Sequence, residues 1–95
     1  MLVLLVRFTV RQGSENQACH YIRKMQEFSR REPGCRMWMG HQSVKNPRQF
    51  FFYEQYDNAE ALDEHRAAPY FRENITNGLE KLFEAVTREI YQPVE

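Results

Sequence analysis

The chain has 95 residues, enough for one domain and too few for two. Hydrophobic residues make up 42% and charged residues 27%, with only four Gly and four Pro, which excludes a disordered, collagenous or low-complexity chain. Thirteen basic residues balance thirteen acidic ones, so no charge excess points to nucleic acid or an anionic membrane as partner.

Residues 2–11 are predicted as a strand. Leu2, Leu4, Val6, Phe8 and Val10 fall on one face, with Arg7, Thr9 and Arg11 on the other. The opening Met1–Val6 run is too short for a secretory leader, has no basic flank and leads straight into alternation. No run approaches the roughly 18 apolar residues of a membrane helix. The expectation is a cytoplasmic protein with reduced thiols, in which Cys19 and Cys35 pack as small apolar residues.

After Gln12-Gly13, Ser14 and Gln17 have the spacing of a capping box. Ala18, Tyr21, Ile22, Met25 and Phe28 then recur at helical spacing, and Pro33-Gly34 stops the helix. Residues 35–45 are predicted as a second strand, with Met37, Met39 and His41 in phase and Trp38 opposite. Lys45–Arg48 is a turn by composition. The third strand, 49–57, carries Phe50-Phe51-Phe52, which defeats simple alternation and predicts that both of its faces are covered. Asp57-Asn58 caps a short helix over 59–66, and Pro69 opens another over 69–84 with a Phe71, Ile75, Leu79, Leu82, Phe83 stripe. A last strand over 86–92 ends at Pro93.

The order β-α-β-β-α-α-β over residues 1–95 fits a single α+β domain, a ferredoxin-like split β-α-β plait. In that plait the helices cover one sheet face. The aromatic third strand predicts that the other meets a second copy of the chain, as a homodimer.

Three histidines are candidates for chemistry. None has metal-ligand spacing to another His or to a Cys, so no metal site is expected. His20 reads as a surface residue. His41 either faces a pocket or sits half-buried on its strand. His65, at the end of the short helix, is either held there by the helix dipole or acts as a general base in a cavity between sheet and helices. Glu54 is anomalous in an aromatic strand. It either pairs with Arg7 or Arg11 or acts on a ligand. There is no phosphate loop, nucleophile motif or CxxC.

The block Tyr53-Glu54-Gln55-Tyr56-Asp57, then Ala61-Leu62-Asp63, His65 and Ala68-Pro69-Tyr70-Phe71, resembles the signature of the antibiotic biosynthesis monooxygenase family. Glu32-Pro33-Gly34-Cys35 and the closing Tyr91-Gln92-Pro93 are similar too. The resemblance implies a dimeric α/β barrel with a pocket in each subunit. Members include cofactor-free oxygenases of hydroquinones and polycyclic phenols, haem-degrading enzymes, and an isomerase-like enzyme of a phosphorylated sugar. The haem-degrading members resemble one another in an Asn on strand one, a Trp near the place of His65 and a proximal His on the next helix. Those places hold Val6, His65 and Ile75 here, so the haem ligand is missing.

On that reading the expectation is a cofactor-independent quinol-type monooxygenase with O2 as co-substrate. His65 and Glu54 are its catalytic candidates, and Trp38, His41, Tyr53, Tyr56, Tyr70 and Phe71 its contacts to a small aromatic substrate. The plain alternative for the aromatics is core and dimer packing, which explains some of them. An isomerase or other proton-transfer enzyme in the same pocket is the alternative, and a non-catalytic ligand-binding dimer is the third reading.

Overall fold

The computed structural model describes residues 1–95. Four strands, β1 (Leu2–Val10), β2 (Cys35–Gln42), β3 (Gln49–Tyr56) and β4 (Phe83–Tyr91), form one sheet in the order β2-β3-β1-β4 with every pair antiparallel. Helices α1 (Glu15–Ser29) and α2 (Ala59–Ala67) and a broken helical segment over residues 69–82 complete the α+β ferredoxin-like fold. No helix is long and apolar enough to cross a membrane.

Period-two alternation decides which side of each strand meets the helices. Leu4, Val6, Phe8 and Val10 of β1 are buried, as are Phe50, Phe52, Glu54 and Tyr56 of β3. Register joins the strands into one inner face: Leu4 lies opposite Glu54, Val6 opposite Phe52 and Phe8 opposite Phe50, while Trp38 lies opposite Glu54 from the other side. Helix α1 lays Ala18, Ile22, Met25 and Ser29 on this face at spacings of four and three. Its contact with β2 is close. A Cβ on Gly40 would stand 2.4 Å from Ile22 Cγ2, so only glycine allows that approach.

The structure corrects several element boundaries. Ser14 does not cap α1 through its side chain, because its backbone (φ −100°, ψ 6°) lies outside the extended geometry such a cap uses. Glu15 instead accepts the Gly13 N–H. The helix ends at Ser29, ahead of Pro33, and a turn carries the chain to β2. Strand β2 stops at Gln42, where the Ser43 hydroxyl takes the N–H groups of Lys45 and Asn46.

The helix expected over 69–84 is regular only from Pro69 to Phe71. It then widens to a π turn over Arg72–Thr76 and tightens to a 3-10 turn over Leu79–Leu82. Gly78 stands at the break and permits it: a Cβ there would stand 2.6 Å from the Asn74 carbonyl oxygen and 2.7 Å from Tyr21. The chain presses against α1 at a point a continuous helix of larger residues would not fit. Phe83, expected on that helix, starts β4 opposite Val10 instead.

The outer face carries Val3 and Leu5 of β1, Phe51 and Tyr53 of β3, and Met37, Met39 and His41 of β2. Within the single chain nothing covers it: Met37 and Met39 are each 41% exposed and Phe51 37%. A groove of about 450 Å³ indents one end, bordered by Arg7, Thr9, Gln49, Phe51 and Thr87.

Candidate active site

A small cavity of about 40 Å³ lies between the inner sheet face and the helices. Its wall is apolar (Leu4, Val6, Met25, Trp38, Phe52, Leu62, Phe71, Ile75 and Phe83), and its polar lining is Glu54, His65, Arg66 and Arg88. Glu54 enters from the middle of β3, because residues in phase with Phe50 and Phe52 face inward. His65 enters from the last turn of α2, whose start is fixed by the Asn58 side chain accepting the Ala61 N–H. Both are almost sealed, at 2% exposure for His65 and 3% for Glu54.

His65 stands between two carboxyl groups. Its Nδ1 is 3.0 and 3.2 Å from the two Glu32 carboxyl oxygens, and its Nε2 is 4.0 Å from Glu54 Oε1. When Glu32 is ionised, its two oxygens accept at Nδ1, which favours the tautomer with the proton there and leaves the Nε2 lone pair on the Glu54 side. Glu54 in turn accepts the Tyr56 hydroxyl at 2.5 Å. The Trp38 indole N–H, opposite Glu54 in register, is near enough to favour its carboxylate but makes no hydrogen bond of good geometry. Tyr56 and Phe71 rings lie 5.3 Å from the imidazole and the Tyr70 ring 6.5 Å away.

Burial dominates the electrostatics. It lowers His65 to about 4, with the Arg66 charge acting the same way. It raises Glu54 to about 7, against the Tyr56 and Trp38 donors and Arg66, which lower it. It raises Glu32 to about 7, helped by the Glu64 charge. Burial and Glu54 push the Tyr56 hydroxyl far up, so it stays a donor. At neutral pH His65 is an unprotonated base facing a carboxyl group poised between its two forms. Cys35 is raised to about 11 by burial and by Glu32 and Glu54, which makes it an inert thiol.

These shifts fix the sign of a stability test. Glu54, raised, contributes stability that is complete below its ordinary value of 4.5 and lost as pH climbs through about 7. His65, lowered, contributes in the opposite sense, complete above 6.5 and lost as pH falls through about 4. Glu54→Gln keeps the site neutral at that position at every pH. Denaturation at pH 5 and pH 8 should show the variant gaining on the wild type by on the order of 2 kcal/mol as pH rises. An unchanged difference would mean that Glu54 is ionised throughout.

Of the residues singled out in the sequence, the structure brings His65, Glu54, Trp38, Tyr56 and Phe71 together, with Tyr70 beside them. It sets His41 and Tyr53 apart. Both are on the outer face, opposite Phe51 and Met39 respectively, and His41 stacks on Phe51 at 4.2 Å. Glu54 does not pair with Arg7 or Arg11. Arg7 is on the outer face and Arg11 is bound to the Lys81 carbonyl. Sequence reasoning passed over Glu32, Arg66 and Arg88. Glu32 lies in the turn after α1, outside any periodic pattern, and it entered the sequence reading only as part of the Glu32-Pro33-Gly34-Cys35 resemblance, without a role in the site. No group of three or more His, Cys, Asp or Glu side chains is disposed to hold a metal ion.

Fold and site together define a class: a ferredoxin-like α+β domain whose inner sheet face holds a buried histidine between two carboxyl groups. Residues 1–77 match the antibiotic biosynthesis monooxygenase family, and the chain belongs to that family. An uncharacterized protein of Synechocystis is 33% identical over 69 residues, 73% of this chain, and the chain spans about half (47%) of that relative's length. A solved structure described as an antibiotic biosynthesis monooxygenase superposes with a TM-score of 0.93 at 22% identity, covering 100% of both chains. A Pseudomonas aeruginosa protein superposes at 0.91 with 24% identity over 99% of this chain and 94% of its own. A Mycobacterium tuberculosis protein does so at 0.89 with 23% identity over 99% and 95%. At these identities the likeness establishes the fold.

Proposed function

We propose that the chain is a cofactor-independent monooxygenase that oxidises a quinol or similar electron-rich aromatic with O2. The observation that carries this is the sealed His65 imidazole, with Glu32 at Nδ1 and with Nε2 on the side of Glu54 and the largely apolar cavity. Oxygen is a triplet and reacts slowly with closed-shell molecules, but a quinol anion donates one electron to it directly. The protein must therefore remove a proton, hold the ring and exclude water.

The substrate hydroxyl gives its proton to Nε2. The anion passes one electron to O2, the resulting radical pair combines, and a C–O bond forms as a ring hydroperoxide. The O–O bond then breaks, one oxygen leaving as water and the other staying on the ring. Quinol plus O2 thus becomes hydroxyquinone plus water, with the four electrons supplied by the substrate. The 4.0 Å between Nε2 and Glu54 Oε1 lets one hydroxyl contact both, so a protonated Glu54 is placed to give its proton to the departing oxygen, and the proton held on Nε2 then restores Glu54.

The same base and acid would serve an isomerase, which moves a proton without consuming oxygen. Oxygen uptake with a panel of hydroquinones, menadiol among them, separates the two. Uptake well above autoxidation supports the oxygenase, and none with any quinol moves the assignment to proton transfer or to ligand binding alone.

We also propose a homodimer, in which the outer faces of two sheets pack to form a barrel. The uncovered Met37, Met39 and Phe51 support it, since monomers seldom leave such a face to water. Sedimentation at micromolar concentration should give a dimer, and Met39→Glu with Phe51→Glu a monomer that keeps its fold. A stable wild-type monomer rejects the barrel.

A further inference from the structure

The polar lining of the cavity divides by exposure. His65 and Glu54 are sealed from solvent, while Arg66 and Arg88 line the cavity from exposed positions, Arg66 in the last turn of α2 and Arg88 on β4 opposite Val6. Several other arginines are taken up within the chain: Arg11 by the Lys81 carbonyl, Arg36 by Asp57, Arg31 by Glu27 and Arg48 by Glu84. Arg66 and Arg88 have no such partner. The one carboxyl beside them inside the cavity, Glu54, is engaged with Tyr56 and faces His65. Two guanidinium groups without a hydrogen-bonded or ion-paired partner beside a low-dielectric cavity make a positive field, which Glu54 feels from Arg66 but does not neutralise by contact.

We propose that the substrate bears an anionic substituent, a carboxylate or phosphate, which Arg66 and Arg88 bind at the cavity mouth while its phenolic end reaches His65. This rests on the reading of the cavity as the quinol site and narrows its substrate class. The direction follows from burial: a permanently charged group keeps its hydration and its guanidinium partners at the exposed end, and a phenol gives up its proton at the sealed end.

Cavity size supports a role for Arg66 in admission. About 40 Å³ holds two or three waters and no aromatic ring. Arg66 also lines an adjoining groove of about 360 Å³, with Pro69, Arg72, Glu73 and Asn77. Rotation of its long side chain toward a bound anion opens the one space toward the other.

The test is equilibrium binding under nitrogen, where no turnover or autoxidation intervenes. Calorimetry would compare gentisate with its neutral counterpart gentisamide, and 4-hydroxyphenyl phosphate would serve as the second acid. We expect gentisate or the phosphate to bind about tenfold or more tightly than gentisamide, with the preference shrinking at high salt. In Arg66→Gln/Arg88→Gln the preference should vanish, whereas Arg72→Gln should keep it. The acid with the larger loss in the double variant identifies the substituent. Equal binding of acid and amide, no binding of either acid, or a preference that survives the double variant would overturn the proposal. Oxygen uptake on neutral quinols survives all three results, so the substrate class and the oxygenase reading fail separately.

Discussion

Replacing His65 with alanine is expected to lower quinol turnover by roughly 10²–10⁴-fold, the usual contribution of a positioned general base. In activation free energy that is about 3–5 kcal/mol. The case rests on how completely the ring is prepared. It is 2% exposed, held at Nδ1 by Glu32 at 3.0 Å, and walled by Tyr56 and Phe71 at 5.3 Å. A base already desolvated and oriented needs little reorganisation when the substrate arrives. The pH profile gives the loss a signature. The competent form has His65 neutral, which holds above about 4, with Glu32 ionised and Glu54 protonated; both carboxyl groups titrate near 7, so the window is a band centred there. Activity should fall on both sides of that window, and Glu54→Gln should change the alkaline limb. Because His65→Ala empties a packed site, His65→Gln serves as the folding control. A well-folded His65→Gln with full activity would reject the assignment of the base.

The frame of the site was legible in the sequence because it depends on short-range periodicity. Glu54 stood out in an aromatic strand, and its phase with Phe50, Phe52 and Tyr56 puts all four on one face. The same phase separates Tyr53 from them, so grouping Tyr53 with Tyr56 by proximity contradicted the two-residue repeat. For β2 the alternation separates Trp38 from His41, but which of them faces the helices is settled only by pairing with β3, where Trp38 meets Glu54. Glu32 and the two arginines were hidden for a different reason. They belong to a turn, a helix end and an edge strand, and what joins them is tertiary packing that no local pattern records. The broken segment over residues 69–82 is similar. Its apolar stripe is helical in period, yet the segment is broken at Gly78, where the backbone lies too close to Asn74 and Tyr21 for a side chain.

Phe8→Ala should be among the most destabilising single substitutions, costing about 3–5 kcal/mol. Phe8 is 3% exposed at the centre of the sheet, on the one strand that bonds to both β3 and β4. Its ring centroid lies 5.4 Å from Phe50, 4.9 Å from Phe52 and 4.7 Å from Phe83, so truncation unseats three aromatic contacts from two neighbouring strands. A domain of this size holds only about 5–14 kcal/mol in all, so such a loss consumes much of it. Urea denaturation should show a lower midpoint at an unchanged slope. The effect should also reach the site, because Phe52 and Phe83 line the cavity that holds His65. Substrate binding should weaken in a variant that is still folded. Phe51→Ala is the matched contrast: its ring is on the outer face at 37% exposure, so its loss should spare the intrachain core and act on self-association. If Phe8→Ala cost less than about 1 kcal/mol, the cluster of Phe8, Phe50, Phe52 and Phe83 would not be what ties the sheet to the cavity, and the rigidity assigned to His65 would need another source.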